Sequence, residues 1–95
     1  MNLEKDIQRG LRAKQILEDD LMVEATAHID AEMWRVFKEL KPNDAEGLMH
    51  VRQMQYMHQK YQEFLRAAVA NGRVAQINLE SRKKGLRERV AGWTS

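Results

Sequence analysis

Apolar residues recur along this chain at steps of three and four, the spacing that gathers side chains on one face of an α-helix. Leu3, Ile7, Leu11 and Leu17 mark a first helix over residues 3–18, with Asn2 placed to cap its free N–H groups. Gly10 interrupts that helix, at a cost of about 1 kcal/mol relative to Ala, or serves a close approach between helices. Asp19 and Asp20 then punctuate the pattern and suit the positive end of a second helix. That helix is predicted over 21–40 from Met22, Ala25, Ile29, Met33, Val36 and Leu40, with Val23, Ala27, Trp34 and Phe37 widening its stripe.

The only proline, Pro42, stands in Lys41-Pro42-Asn43 and stops the second helix near Leu40. Asn43 and Glu46 have the spacing of a capping box for a third helix over 44–71. So short a connection predicts that the flanking helices are antiparallel neighbours. Along the third helix Val51, Met54, His58, Tyr61, Leu65 and Ala68 alternate steps of three and four without a slip. Such a 3.5-residue repeat is the pattern of coiled-coil packing. Leu48, Met57, Phe64 and Val69 broaden that seam, and Asn71-Gly72 reads as a helix C-terminus, with Gly72 taking the left-handed conformation. A fourth, weaker segment over 73–90 has Leu79, Leu86 and Val90 on one face, with Lys83 and Gly85 interrupting it, and residues 91–95 are expected to fray.

The expected fold is therefore all-α: an antiparallel helical hairpin of about 21–40 and 44–71, a shorter N-terminal helix and a basic C-terminal helical tail. Residues 1–72 form the hairpin domain in this reading and 73–95 the tail. A chain of 95 residues has a thin core. Either the first helix folds back to make a three-helix unit or copies associate, and both are expected here. Trp34 and Phe37 then join Val51, Met54, His58, Tyr61, Leu65 and Ala68 as the packing and oligomer seam.

Composition narrows the chemistry. Cysteine is absent, which removes disulfides, thiolate metal sites and cysteine nucleophiles. The start is charged and lacks the apolar run of a signal peptide, and no stretch approaches the roughly 18 apolar residues of a membrane span. An intracellular protein that contacts no membrane is expected. His50 and His58 are eight residues apart, about 12 Å along a helix axis, too far for one ion. His28 has Glu24 and Glu32 one turn to either side, a set that needs a further ligand from another helix. No metal or cofactor is therefore expected. His58 reads instead as a polar seam residue that sets register, and Tyr61 either shares that role or carries its hydroxyl to the rim. The carboxylate pairs fall at helix starts, where they stabilise the dipole. No nucleotide-binding loop or nucleophile motif occurs, so no enzyme is expected.

Charge is uneven. Residues 1–72 hold ten Lys/Arg against twelve Asp/Glu, whereas 73–95 hold six against two. Arg82, Lys83, Lys84, Arg87 and Arg89 concentrate the excess and suit a polyanion or an acidic protein face, with Trp93 available to stack or bury. A merely solvated tail is the plainer account.

The order of features resembles a group of small helical proteins of tailed bacteriophages, encoded near head and DNA-packaging genes. Gly10-Leu11-Arg12-Ala13 with Ile16-Leu17-Glu18, Trp34, Asp44-Ala45-Glu46-Gly47, and Gly72-Arg73-Val74-Ala75 leading to Leu79 carry the likeness. Leu48 stands where those relatives often have Arg, and the basic tail lies outside the shared pattern. The resemblance implies a setting, in the host cytoplasm or the virion, and no catalytic residues. Three functions follow as expectations: a non-enzymatic phage structural or assembly factor that oligomerises through residues 20–70; a DNA-associated accessory using the basic tail; and a regulator that binds a host protein through a helical face.

Overall fold

A computed structural model of the chain describes residues 2–94. It is all-helical: three helices, α1 (Leu3–Glu18), α2 (Asp20–Glu39) and α3 (Ala45–Thr94), with no strand among the described residues. Each boundary has a local cause. The Asn2 side chain accepts the Lys5 N–H at 3.1 Å and so caps α1, with Glu4 and Asp6 in the first turn at the positive end of the dipole. Asp19 alone separates α1 from α2. Its backbone is extended (φ −63°, ψ 127°), its N–H closes the last turn of α1 on the Ile16 carbonyl, and its carboxylate accepts the Met22 N–H at 3.0 Å.

The turn into α3 differs from expectation by one residue. Asp44 donates its N–H to the Lys41 carbonyl at 3.0 Å, placing Pro42 and Asn43 at the centre of a turn. The cap is then Asp44, not Asn43. Its carboxylate accepts the Gly47 N–H at 2.8 Å, while its carbonyl accepts the first helical bond, from Leu48. Asn43 is spent inside the turn, so a capping box built on it with Glu46 does not form.

A larger correction concerns residues 71–73. No helix ends there: α3 is continuous for 50 residues, so the third and fourth expected segments are one element. Glycine has no positive φ among the described residues. Gly72 is buried against Gly10. A Cβ on Gly10 would lie 2.9 Å from the Gly72 Cα and from the Ala68 carbonyl oxygen; one on Gly72 would lie 2.9 Å from the Gly10 Cα. The two glycines let α1 and α3 touch backbone to backbone, and α1 lies closer to α3 than α2 does. At about 1.5 Å per residue α3 is about 75 Å long, and the molecule measures 77 × 26 × 16 Å.

Contacts step in opposite senses along the chain. Asp30 meets His58, Thr26 meets Tyr61, and Gly10 meets Gly72. The inward line of α3 runs through Val51, Met54, His58, Tyr61, Leu65 and Ala68 and continues in the same rhythm through Gly72, Ala75 and Leu79, all buried or half-buried. Leu3 and Ala13 of α1 and Met33 of α2 are buried opposite it. On α2, Met22, Val36 and Leu40 are half-buried, but Thr26 takes the inward place expected of Ala25, which is exposed. The reason is polar: the Thr26 hydroxyl hydrogen-bonds the Tyr61 hydroxyl at 3.2 Å.

Candidate association surfaces

The six α3 seam residues lie on one face, and a polar cluster sits in its middle. His58 is 8% exposed, and its Nε2 lies 2.9 Å from the Asp30 carboxylate across the α2–α3 boundary. The His58 and Tyr61 rings meet edge to face at 5.3 Å, and the Gln62 amide reaches both the His58 ring and its carbonyl. Asp30 and Thr26 are thus paired specifically with His58 and Tyr61. A slip of one residue along either helix would take the Asp30 carboxylate away from the buried His58 ring, whose remaining side-chain partner is Gln62 on its own helix.

Trp34 and Phe37 are placed elsewhere. Both are exposed, and they stack on one another at 5.4 Å with 15° between planes, Lys38 lying 5.9 Å over the Trp34 ring. They form an outward aromatic step on α2, distinct from the line containing His58. Next to Trp34 in the chain, Arg35 is flanked by Glu32 and Glu39, with an Nη1 to Glu39 distance of 2.9 Å. The hydrogen bond from Arg35 holds the Glu32 carboxyl below its usual range, and the two glutamates raise the Arg35 pKa. On α3, hydrogen bonding to Glu63 and to Tyr56 raises the Lys60 pKa, and Lys60 lies 4.9 Å over the Tyr56 ring. All these groups face solvent, where ion pairs contribute little and salt screens them.

Other large apolar side chains are exposed on every helix. Leu21 and Val23 follow the break at Asp19, Met57 and Phe64 lie on α3, and Val74 and Ile77 follow near the crossing. Sequence periodicity assigned Met57, Phe64 and Val23 to broadened inward stripes. In a molecule only two helices thick, the outer half of a broad stripe has nothing to pack on.

Arg82, Lys83, Lys84, Arg87 and Arg89 are all exposed on the last turns of α3, with Leu86, Val90 and Trp93 on the same stretch. Past Leu79 only Gly85 is less than exposed among the residues whose burial is described, and a Cβ there would meet nothing within 4 Å. This stretch therefore projects beyond the part of α3 that α1 covers. Among the described residues, His28 and His50 are exposed, and no three His, Asp or Glu side chains are grouped to hold an ion. No described helix is long and apolar enough to cross a membrane. Compared with protein-family models, curated proteins and solved structures, the chain matches none.

Proposed function

We propose that the chain is a non-enzymatic assembly protein, an antiparallel helical hairpin with one arm broken at Asp19, which oligomerises through helix faces that its own fold leaves open. The observation that carries this reading is the exposure of Leu21, Trp34, Met57, Phe64 and Ile77 on so thin a molecule. Each is more than half exposed, and burying such a side chain is worth about 1.5–3 kcal/mol. Apolar surface left open on this scale is surface that a partner's helix could bury. The resemblance carried by Gly10–Ala13, Asp44–Gly47 and Gly72–Ala75 supports a phage head or packaging setting, in the host cytoplasm or the virion. Sedimentation velocity at tens of micromolar tests the reading: a defined oligomer is expected, and a strict monomer overturns it.

A second reading is favoured by the exposed basic end of α3, which suits a DNA-associated accessory of packaging or regulation. Contact with about four phosphates would weaken binding roughly 100-fold between 50 and 200 mM salt. Binding to a short DNA duplex, followed by fluorescence anisotropy, should disappear when the chain stops at Glu80. Binding that survives this truncation counts against it.

A further inference from the structure

The apolar line of α3 does not stop where α1 stops covering it. Beyond Leu79 it continues through Leu86, Val90 and Trp93, at steps of seven, four and three, on a helical stretch whose side chains are exposed. Leu86 is 61% and Trp93 83% exposed. That face continues an occupied one but is mixed, with Leu86 and Trp93 set between Arg82, Lys83 and Arg89, and an apolar line edged with charge suits another helix. Its charge says which kind. Residues 82–89 hold five Lys/Arg against the single Glu88, a net +4 over eight positions. A symmetric pairing of two such tails would set +4 against +4, so the tail is not its own partner.

The complementary surface lies on the same chain, at the α1–α2 break. Residues 18–24 carry Glu18, Asp19, Asp20 and Glu24 with no basic residue, a net −4 over seven positions. Apolar area goes with the charge: Leu21 is 73% and Val23 54% exposed. Asp19 spends one carboxylate oxygen on the Met22 N–H and Lys14 approaches Glu18 at 3.9 Å, but neither contact covers Leu21 or Val23. Within one molecule the two surfaces cannot meet. Leu17 and Met22, on either side of the break, pack near Tyr61, Gln62 and Arg66 of α3, about 30 Å along the helix from Leu86.

We propose that the basic, apolar end of α3 docks on the acidic α1–α2 break of a second copy of this chain. The contact is heterologous, tail to elbow, and joins one copy to the next through opposite charge around apolar centres. It rests on the self-association proposed above and names the surfaces that perform it.

The test is sedimentation equilibrium of the full chain from 1 to 100 µM, at 50 mM and 500 mM salt. Association is expected at low salt and at least tenfold weaker at high salt, because raising ionic strength shortens the screening length from about 14 to about 4 Å. Two exposed-site variants assign the surfaces: K84E with R87E on the tail, and D20K with E24K on the elbow. Each alone should sediment as a monomer with unchanged helical circular dichroism, and an equimolar mixture of the two should recover a complex. Association that persists undiminished in both variants overturns the tail–elbow contact while leaving self-association standing; a monomer under every condition removes both. Association that strengthens with salt points to tail–tail pairing and overturns the proposal. So does a tail variant that keeps its mass yet loses binding to a DNA duplex, since the tail would then serve nucleic acid.

Discussion

At Gly10 and Gly72, helix propensity and packing pull a substitution in opposite directions. In an open helix, Gly→Ala stabilises by about 1 kcal/mol because alanine loses less backbone freedom. At the crossing, the added methyl would stand 2.9 Å from opposing backbone, which has no flexible end to swing away. Gly10→Ala and Gly72→Ala should each destabilise the fold by about 1–3 kcal/mol through overpacking, read by urea denaturation. Gly85→Ala is the control. Nothing stands within 4 Å of its Cβ, so the helix-propensity gain should appear unopposed as greater helicity or a small rise in stability. The same scale governs the Glu32 carboxyl. Hydrogen bonding to Arg35 lowers the Glu32 pKa, so the pair's small contribution is present above the unfolded value near 4.5 and is lost as pH falls through the lower folded value. Arg35→Gln should move the Glu32 titration, followed by carboxyl NMR, back toward the ordinary range.

At the scale of the element, caps were nearly legible and the long helix was not. Asn2 announces itself because a short polar side chain followed by a helix-forming run has few other uses, whereas Asp19 and Asp20 are equal candidates until the Met22 N–H is seen to reach Asp19. Asp44 was missed by one residue because Asn43 has the same chemistry; only the Lys41–Asp44 turn hydrogen bond decides between them. Asp44→Ala should therefore cost about 1 kcal/mol in thermal or denaturant unfolding, and Asn43→Ala much less. Gly72 shows why α3 could not be traced through. A glycine after Asn is a good helix end and also a good helix crossing, and local sequence is identical in the two cases. The discriminating signal was periodic: the line from Val51 to Ala68 carries on through Gly72, Ala75 and Leu79 without a phase change. That line was legible from spacing alone, and the α2 face in part: Met22, Met33, Val36 and Leu40 turn inward, whereas Ile29 is exposed and Thr26, with its hydroxyl partner on another helix, replaces Ala25.

For the whole molecule, shape dominates. A compact domain of this length has a radius of gyration of about 12 Å, whereas this chain has 21.8 Å. A rod two helices thick cannot enclose broad apolar stripes, so side chains such as Trp34 and Phe64 stay on its surface. Ending the chain at Glu80 should shorten the rod by about 20 Å in small-angle scattering. The urea midpoint should stay nearly unchanged, because Leu86, Val90 and Trp93 are exposed. A large loss of stability would mean that the tail supports the body.

Sequence by itself determined the helical class, the cap of the first helix at Asn2, the turn at Pro42, the inward rhythm of α3 and the separation of basic from acidic segments. These are local or periodic properties, set by backbone geometry within a few residues. Tertiary structure alone decided that Gly72 is a crossing and not an end, and that Asp30 and Thr26 are the partners of His58 and Tyr61. It alone also decided which apolar residues remain in solvent. Each depends on where a second helix lies, and a repeat of three and four residues specifies a face without saying how much of it a neighbour will cover.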